Sequence, residues 1–196
     1  PGVAGAQVLK ANGRFGTDAL MASYDIVAFD PRGTGESGPL QCLPDDELDR
    51  YLDGTLTSGD GAEAVSAASQ LFADACLDND GARARHVGTD QVVQDLDVIR
   101  SVLDQPKLTY VGYSYGTLIG ALYAQEFGSN VDRMVLDGAV DPSVSPQGRQ
   151  LAQLVSIEQA LSRYVDACLA GAAGRCPLSG DQAEALAQVG ALLDRT

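Results

Sequence analysis

Gly112-Tyr113-Ser114-Tyr115-Gly116 sets a serine between two glycines, the G-x-S-x-G spacing that suits a hydroxyl projecting from a tight turn. A serine hydroxyl attacks a carbonyl carbon when a neighbouring base takes its proton, so the chemistry on offer is acyl transfer through a covalent intermediate. Five residues are a weak pattern in a glycine-rich chain, and the setting carries the weight. Leu108-Thr109-Tyr110-Val111-Gly112 reads as a buried strand, and Gly116 to Phe127 as a helix of small and apolar residues. Side chains two residues to either side of the serine would collide where strand and helix approach, and glycine removes the collision. Such a turn lifts Ser114 above the carboxyl edge of a sheet, and the backbone N–H of Tyr115, at a helix N-terminus, becomes a donor to a developing oxyanion.

A serine nucleophile needs a histidine base, and the base needs an acid to orient it. The chain has one histidine, His86. It precedes Ser114, whereas the motif's usual chain order is serine, acid, histidine, and a place just ahead of a helix suits a loop contact better than catalysis. Asp137 and Asp141, after a third strand at Arg133-Met134-Val135-Leu136-Asp137, are the candidate acids. A second glycine-rich loop, Gly33-Thr34-Gly35-Glu36-Ser37-Gly38, continues as Pro39-Leu40 where a phosphate-binding loop needs Lys and then Ser or Thr. No nucleotide is implied. Neither organic cofactor nor metal is expected, because no His, Cys and carboxylate group stands at ligand spacing.

The elements that must hold Ser114 alternate. Tyr24-Asp25-Ile26-Val27-Ala28-Phe29 reads as a buried strand, led in by helical turns carrying Val8, Leu9, Phe15, Leu20 and Met21. Residues 39–88 form a long excursion with one helix from Gly61 to Cys76. Thr89 is the expected N-cap of an amphipathic helix bearing Val92, Leu96, Ile99 and Leu103 and ending near Asp104 before Pro106. Strand, helix, strand, helix, strand predicts the α/β class, a parallel sheet flanked by helices, over residues 1–142. Beyond Pro142 the pattern is helical only, with Leu151, Leu154, Leu161, Tyr164, Val165 and Cys168 marking one helix and Ala183 to Leu193 another, so 143–196 is expected to begin a second, helical unit.

Of the 196 residues 45% are apolar, which supports one sizeable core, and the net charge is −14. An acidic surface repels phosphate backbones and anionic headgroups, so nucleic acid and membrane surfaces are excluded as expected partners. The longest apolar stretch, Leu118 to Ala124, is far short of the roughly 20 residues of a spanning helix. The chain opens on Pro1 without a charged and apolar leader, so an export signal is expected outside it. Four cysteines allow three pairings. Cys42–Cys76 with Cys168–Cys176 is favoured because each bridge closes a segment short of core contacts, and it implies an oxidising compartment. Four reduced cysteines buried as small hydrophobes are the alternative.

Phe29-Asp30-Pro31-Arg32-Gly33-Thr34-Gly35-Glu36-Ser37, Gly112-Tyr113-Ser114-Tyr115-Gly116-Thr117 and Arg133-Met134-Val135-Leu136-Asp137-Gly138 together resemble the secreted tripeptidyl aminopeptidase and proline iminopeptidase family of α/β-hydrolases. The resemblance spans roughly residues 1–145. It implies a partial α/β-hydrolase fold with the start of a helical cap, and an exopeptidase that releases N-terminal tripeptides or single residues from a peptide substrate through an acyl-enzyme on Ser114. It also implies a secreted protein, and the cysteine positions suit the actinobacterial members. Tyr115 would supply one oxyanion donor. Pro1-Gly2 resembles the tail of the family's Gly-Gly-Pro-Gly oxyanion loop, and the resemblance implies the other donor from a residue of that loop just before Pro1, with Gly2 as the alternative. Asp30 and Arg32 match positions that shape the loop beside the site. The family takes its acid from a later strand and its histidine from beyond that, so the resemblance implies a fragment that needs the remainder of its catalytic domain. A small-molecule esterase or lipase of the same fold, and a non-catalytic hydrolase-like module, remain open.

Overall fold

A computed structural model describes residues 4–12, 16–56, 61–171, 174 and 176–193. They divide into two compact units, Pro1–Val140 and Asp141–Thr196.

In the first unit α1 (Gly5–Asn12) and α2 (Asp18–Ser23) lead into Tyr24–Phe29. That run, expected as a buried strand, has no regular structure, and Val27 is 59% exposed. A strand exists only through a partner, and among the described residues none pairs with it. The excursion after Pro39 holds two helices, α3 (Asp45–Leu52) and α4 (Ala62–Ala84). The first has no counterpart in the single helix expected there, and the second runs past its expected end at Cys76. Beyond Cys76 no apolar period signals a helix, but an Asp80–Arg83 ion pair and Arg83 bonds to the carbonyls of Gly38 and Pro39 tie the last turns down. The Cys42–Cys76 disulfide and the stacked rings of Tyr51 and Phe72, with centroids 4.7 Å apart, close this segment on itself.

The organising core lies between α5 (Thr89–Val102) and α6 (Tyr115–Glu126). Val92, Val93 and Leu96 from α5 bury against Ile119 and Tyr123 of α6. Each such side chain contributes about 2 kcal/mol by leaving water. The N-cap of α5 is Gly88 rather than the expected Thr89, which opens the helix proper and points its Oγ1 3.0 Å from the Tyr115 hydroxyl. Leu103, expected on the buried face, follows the helix end and is 44% exposed.

Two strands, β1 (Leu108–Tyr113) and β2 (Val131–Asp137), pair in parallel, with Tyr113 opposite Asp137. The crossover between them is α6 and a 3₁₀ turn (Gly128–Asn130). A parallel pair needs such a crossover, which sets a helix against the sheet.

One half-buried carboxylate locks this crossover. Asp97 Oδ1 accepts from Arg100 Nε (2.8 Å), the Tyr123 hydroxyl (2.7 Å) and Asn130 Nδ2 (3.0 Å). The Arg100 guanidinium, outweighing desolvation and helped by Tyr123 and Asn130, holds the Asp97 carboxyl well below the usual carboxylate range. Burial pushes the Tyr123 hydroxyl up to about 12. A depressed folded value means stability that is complete above the unfolded value near 4 and is lost as pH falls towards the folded one. Asp97→Asn is therefore expected to cost about 2 kcal/mol at pH 7, with the gap to wild type narrowing below about pH 4, as read by urea denaturation across that range.

In the second unit α7 (Pro146–Leu169) starts with Pro146 at its first position and Ser145 as N-cap, accepting from Gly148 N at 3.1 Å. Helix α8 (Gln182–Leu193) starts with a reciprocal cap in which Asp181 Oδ1 accepts from Glu184 N and Glu184 Oε2 from Asp181 N. Val165, Cys168 and Ala185 form its buried centre, and Cys168 is bonded to Cys176. No described helix is long and apolar enough to cross a membrane.

Candidate active site

Ser114 stands where β1 ends and α6 begins, with φ 50° and ψ −110°. Positive φ is rare for a residue with a Cβ, and such a conformation costs on the order of 1–3 kcal/mol unless the surroundings enforce it. They do so from both sides of the residue. Its N–H donates to Asp137 O at 2.9 Å, carrying the strand pairing one residue past β1, and its carbonyl accepts from Thr117 N at 2.9 Å and Thr117 Oγ1 at 2.6 Å. Ser114 is also the N-cap of α6, a position where serine usually turns its oxygen back on the helix, yet its side chain makes no cap hydrogen bond. The residue is exposed, so the hydroxyl is presented at the surface.

The helix lies close against the strand because of its small residues. A Cβ on Gly112 would fall against the Gly116 carbonyl group, 2.6 Å from its carbon, and 2.7 Å from Tyr110 Cε1. One at Gly120 would stand 2.7 Å from Leu136 Cδ2 and 2.9 Å from Tyr110 Cε1. The Tyr110 ring fills the crevice these glycines leave, and its hydroxyl donates to Gly116 O at 2.8 Å. Burial pushes that hydroxyl up to about 12. The G-x-S-x-G motif does not by itself single out Tyr110, Gly120 or Thr117. The signal was the four-residue spacing of Gly112, Gly116 and Gly120 after an aromatic strand residue.

Tyr115 N–H is the first of α6 and has no intrahelical acceptor, as the geometry of a helix start dictates. Gly2 lies outside the described residues. His86 sits exposed between α4 and α5; its N–H donates to Arg83 O at 2.8 Å and its carbonyl accepts from Arg32 Nη1 at 3.1 Å. Asp137 serves Ser114 through its backbone, and its side chain is exposed. The Asp141 carboxylate is engaged in its own turn, accepting from Ser143 Oγ (2.7 Å) and Ser143 N (2.8 Å), which hold it below the usual range. Among the described residues no hydrogen bond joins Ser114 to His86 or to a carboxylate side chain, and no group of three metal-ligating residues forms.

The companion loop is built around two charged residues. Asp30, 7% exposed, receives Glu36 N at 3.0 Å and Ala6 N at 2.8 Å, and these two amides lower its pKa. Arg32 forks onto Asp95 of α5, with Nε 2.7 Å from Oδ2 and Nη2 2.6 Å from Oδ1. Both are spent on shaping residues 30–38 and fastening them to α5. Lysine cannot reproduce the fork. Arg32→Lys is expected to lower thermal stability slightly and to speed amide exchange at Gly33 and Ser37, whose N–H groups close this loop.

A parallel strand pair, a glycine-lined crossover helix and a strained serine at their junction define a class. The alpha/beta hydrolase fold family matches residues 14–185, and the chain belongs to it. It is 40% identical over 175 residues to the Serine protease Hip1 of Mycobacterium tuberculosis (strain ATCC 25618 / H37Rv), an overlap covering 87% of this chain and 33% of that protein. It is 39% identical over 123 residues to the Tripeptidyl aminopeptidase of Streptomyces lividans, covering 62% of this chain and 23% of that protein. It is 35% identical over 179 residues to the Carboxylesterase B of Mycobacterium tuberculosis (strain CDC 1551 / Oshkosh), covering 89% and 34%. The chain thus spans between 23% and 34% of the length of these relatives.

Proposed function

We propose that these residues are the nucleophile-bearing part of a secreted serine exopeptidase, which acts on the free N-terminal end of peptides and releases tripeptides or single residues. The observation that carries the reading is Ser114 itself, held at φ 50° between strand and helix with its side chain outside any cap. This is a nucleophile elbow. The Serine protease and Tripeptidyl aminopeptidase relatives support peptide over other acyl substrates. The two disulfides support an oxidising, extracytoplasmic setting.

In this mechanism Ser114 Oγ attacks the scissile carbonyl carbon while its proton passes to a histidine. The oxyanion formed is met by Tyr115 N–H, with Gly2 the candidate for a second donor. Collapse breaks the C–N bond, the histidine returns the proton to the departing amine, and water then releases the acyl group from Ser114 by the same two steps. The histidine and its acid come from the remainder of the full-length protein in this reading, supported by the lack of any hydrogen bond between His86 and Ser114 among the described residues and by the chain's covering about a third of the length of its relatives.

A second reading, a small-molecule esterase, is favoured by the Carboxylesterase B relative. Rates on a tripeptidyl amide, an aminoacyl amide and a short acyl ester, measured with the full-length protein, separate the two. Amide cleavage that needs a free N-terminal amine is the expected result. Ester cleavage without amide cleavage would establish the second reading instead.

A further inference from the structure

We propose that Thr117 is a positioning residue for the nucleophile, its hydroxyl acting as a strut that holds Ser114 in its strained conformation. The inference rests on Ser114 being the nucleophile. Thr117 is 1% exposed, although it lies on the first turn of α6, and its hydroxyl both donates and accepts. Oγ1 donates to Ser114 O at 2.6 Å and accepts from Val140 N at 2.8 Å. The end of β2 and the loop that follows it are therefore each fastened to the serine turn, Asp137 O by receiving Ser114 N at 2.9 Å and Val140 through Thr117.

The strut acts where the strain is. Ser114 at φ 50°, ψ −110° would relax if its peptide group could rotate, and rotation swings the Ser114 carbonyl together with the neighbouring Tyr115 N–H. Two hydrogen bonds from one residue, the Thr117 backbone N–H and its hydroxyl, pin that carbonyl. The backbone bond comes with any helix start. The hydroxyl bond needs Ser or Thr at this position, and its second half, the acceptance from Val140 N, ties the pin to the loop after β2 rather than to the helix alone. The role is thus to aim both the attacking Oγ and the oxyanion donor without touching substrate.

The test uses the full-length protein and four variants: Thr117→Val, Thr117→Ser, Thr117→Ala and Asp97→Asn. Valine keeps the shape and removes the hydroxyl. Should it fail to fold, alanine, which leaves room for a water to take the Val140 N–H, supplies the hydroxyl-free readout. The measurements are the rate of fluorophosphonate labelling at Ser114, kcat and KM on a tripeptidyl amide, and thermal stability. Asp97→Asn, expected to be destabilised while leaving the hydrogen bonds of Ser114 and Thr117 in place, controls for instability as such.

The hydroxyl-free variants are expected to label roughly 10- to 100-fold more slowly and to lose kcat by the same factor, with KM within about twofold. Serine should restore both to within about threefold of wild type, and Asp97→Asn should label at the wild-type rate despite its lower Tm. Wild-type labelling rates in folded Thr117→Val or Thr117→Ala would overturn the strut while leaving the nucleophile intact, and so would a Thr117→Ser variant as slow as valine. Absence of labelling at Ser114 in the wild-type protein would instead overturn the nucleophile reading itself.

Discussion

Alanine at Ser114 leaves the full-length protein with a kcat reduced by at least about 10⁴-fold and KM little changed, because the atom that forms the acyl bond is gone while substrate contacts remain. Folding should be almost unaffected, since Ser114 is exposed and caps nothing with its side chain. Glycine at the same position is the sharper diagnostic. At φ 50° glycine pays no steric penalty, so Ser114→Gly should be inactive yet more stable than wild type by roughly 1 kcal/mol. Stability gained with activity lost marks a site where strain serves function. Activity assays with thermal denaturation of the three proteins check both halves, and residual activity above about 1% in Ser114→Ala would remove Ser114 from the mechanism.

The largest stability effect is expected at Gly112. An added methyl group meets the peptide carbonyl of Gly116 and the Tyr110 ring at once. Side chains can swing away from an intruder, but a helix backbone carbonyl already held by the Tyr110 hydroxyl cannot do so cheaply. Gly112→Ala should therefore lose about 3 kcal/mol, the upper part of the range for overpacking, and thermal denaturation should register it as a fall of several degrees in Tm. The comparison is Gly128→Ala, where the new methyl meets nothing within 4 Å, and where a change within about 0.5 kcal/mol is expected. Equal effects at the two glycines would mean that helix and strand are not in the close approach described above. Because Gly112 and Gly116 bracket Ser114, the same displacement should also depress labelling of the serine in whatever fraction remains folded.

Strand–turn–helix around Ser114 was legible in the sequence because its signals are local. A β-rich apolar run, two glycines at fixed offsets and a following run of small residues each restrict the chain within a few residues. The Asp30–Ser37 loop was legible for the same reason, since glycine, proline and charge alternate there at turn spacing. What stayed out of reach depends on partners distant in sequence. Tyr24–Phe29 has the composition of a strand, but whether it pairs is decided elsewhere. Asp97 is one acidic residue among many until Tyr123 and Asn130, 26 and 33 positions on, converge upon it.

Ser114 divides along the same line. By itself the sequence determined that a serine hydroxyl would occupy a glycine-flanked turn between strand and helix, because local sterics allow little else at that spacing. Only the tertiary structure decided how that serine is held: its φ of 50°, its uncapped side chain, and a backbone gripped by Asp137 on one side and Thr117 on the other. Strain of this kind survives only where contacts from separate elements enforce it together, and those contacts come into being when β1, α6 and the end of β2 meet.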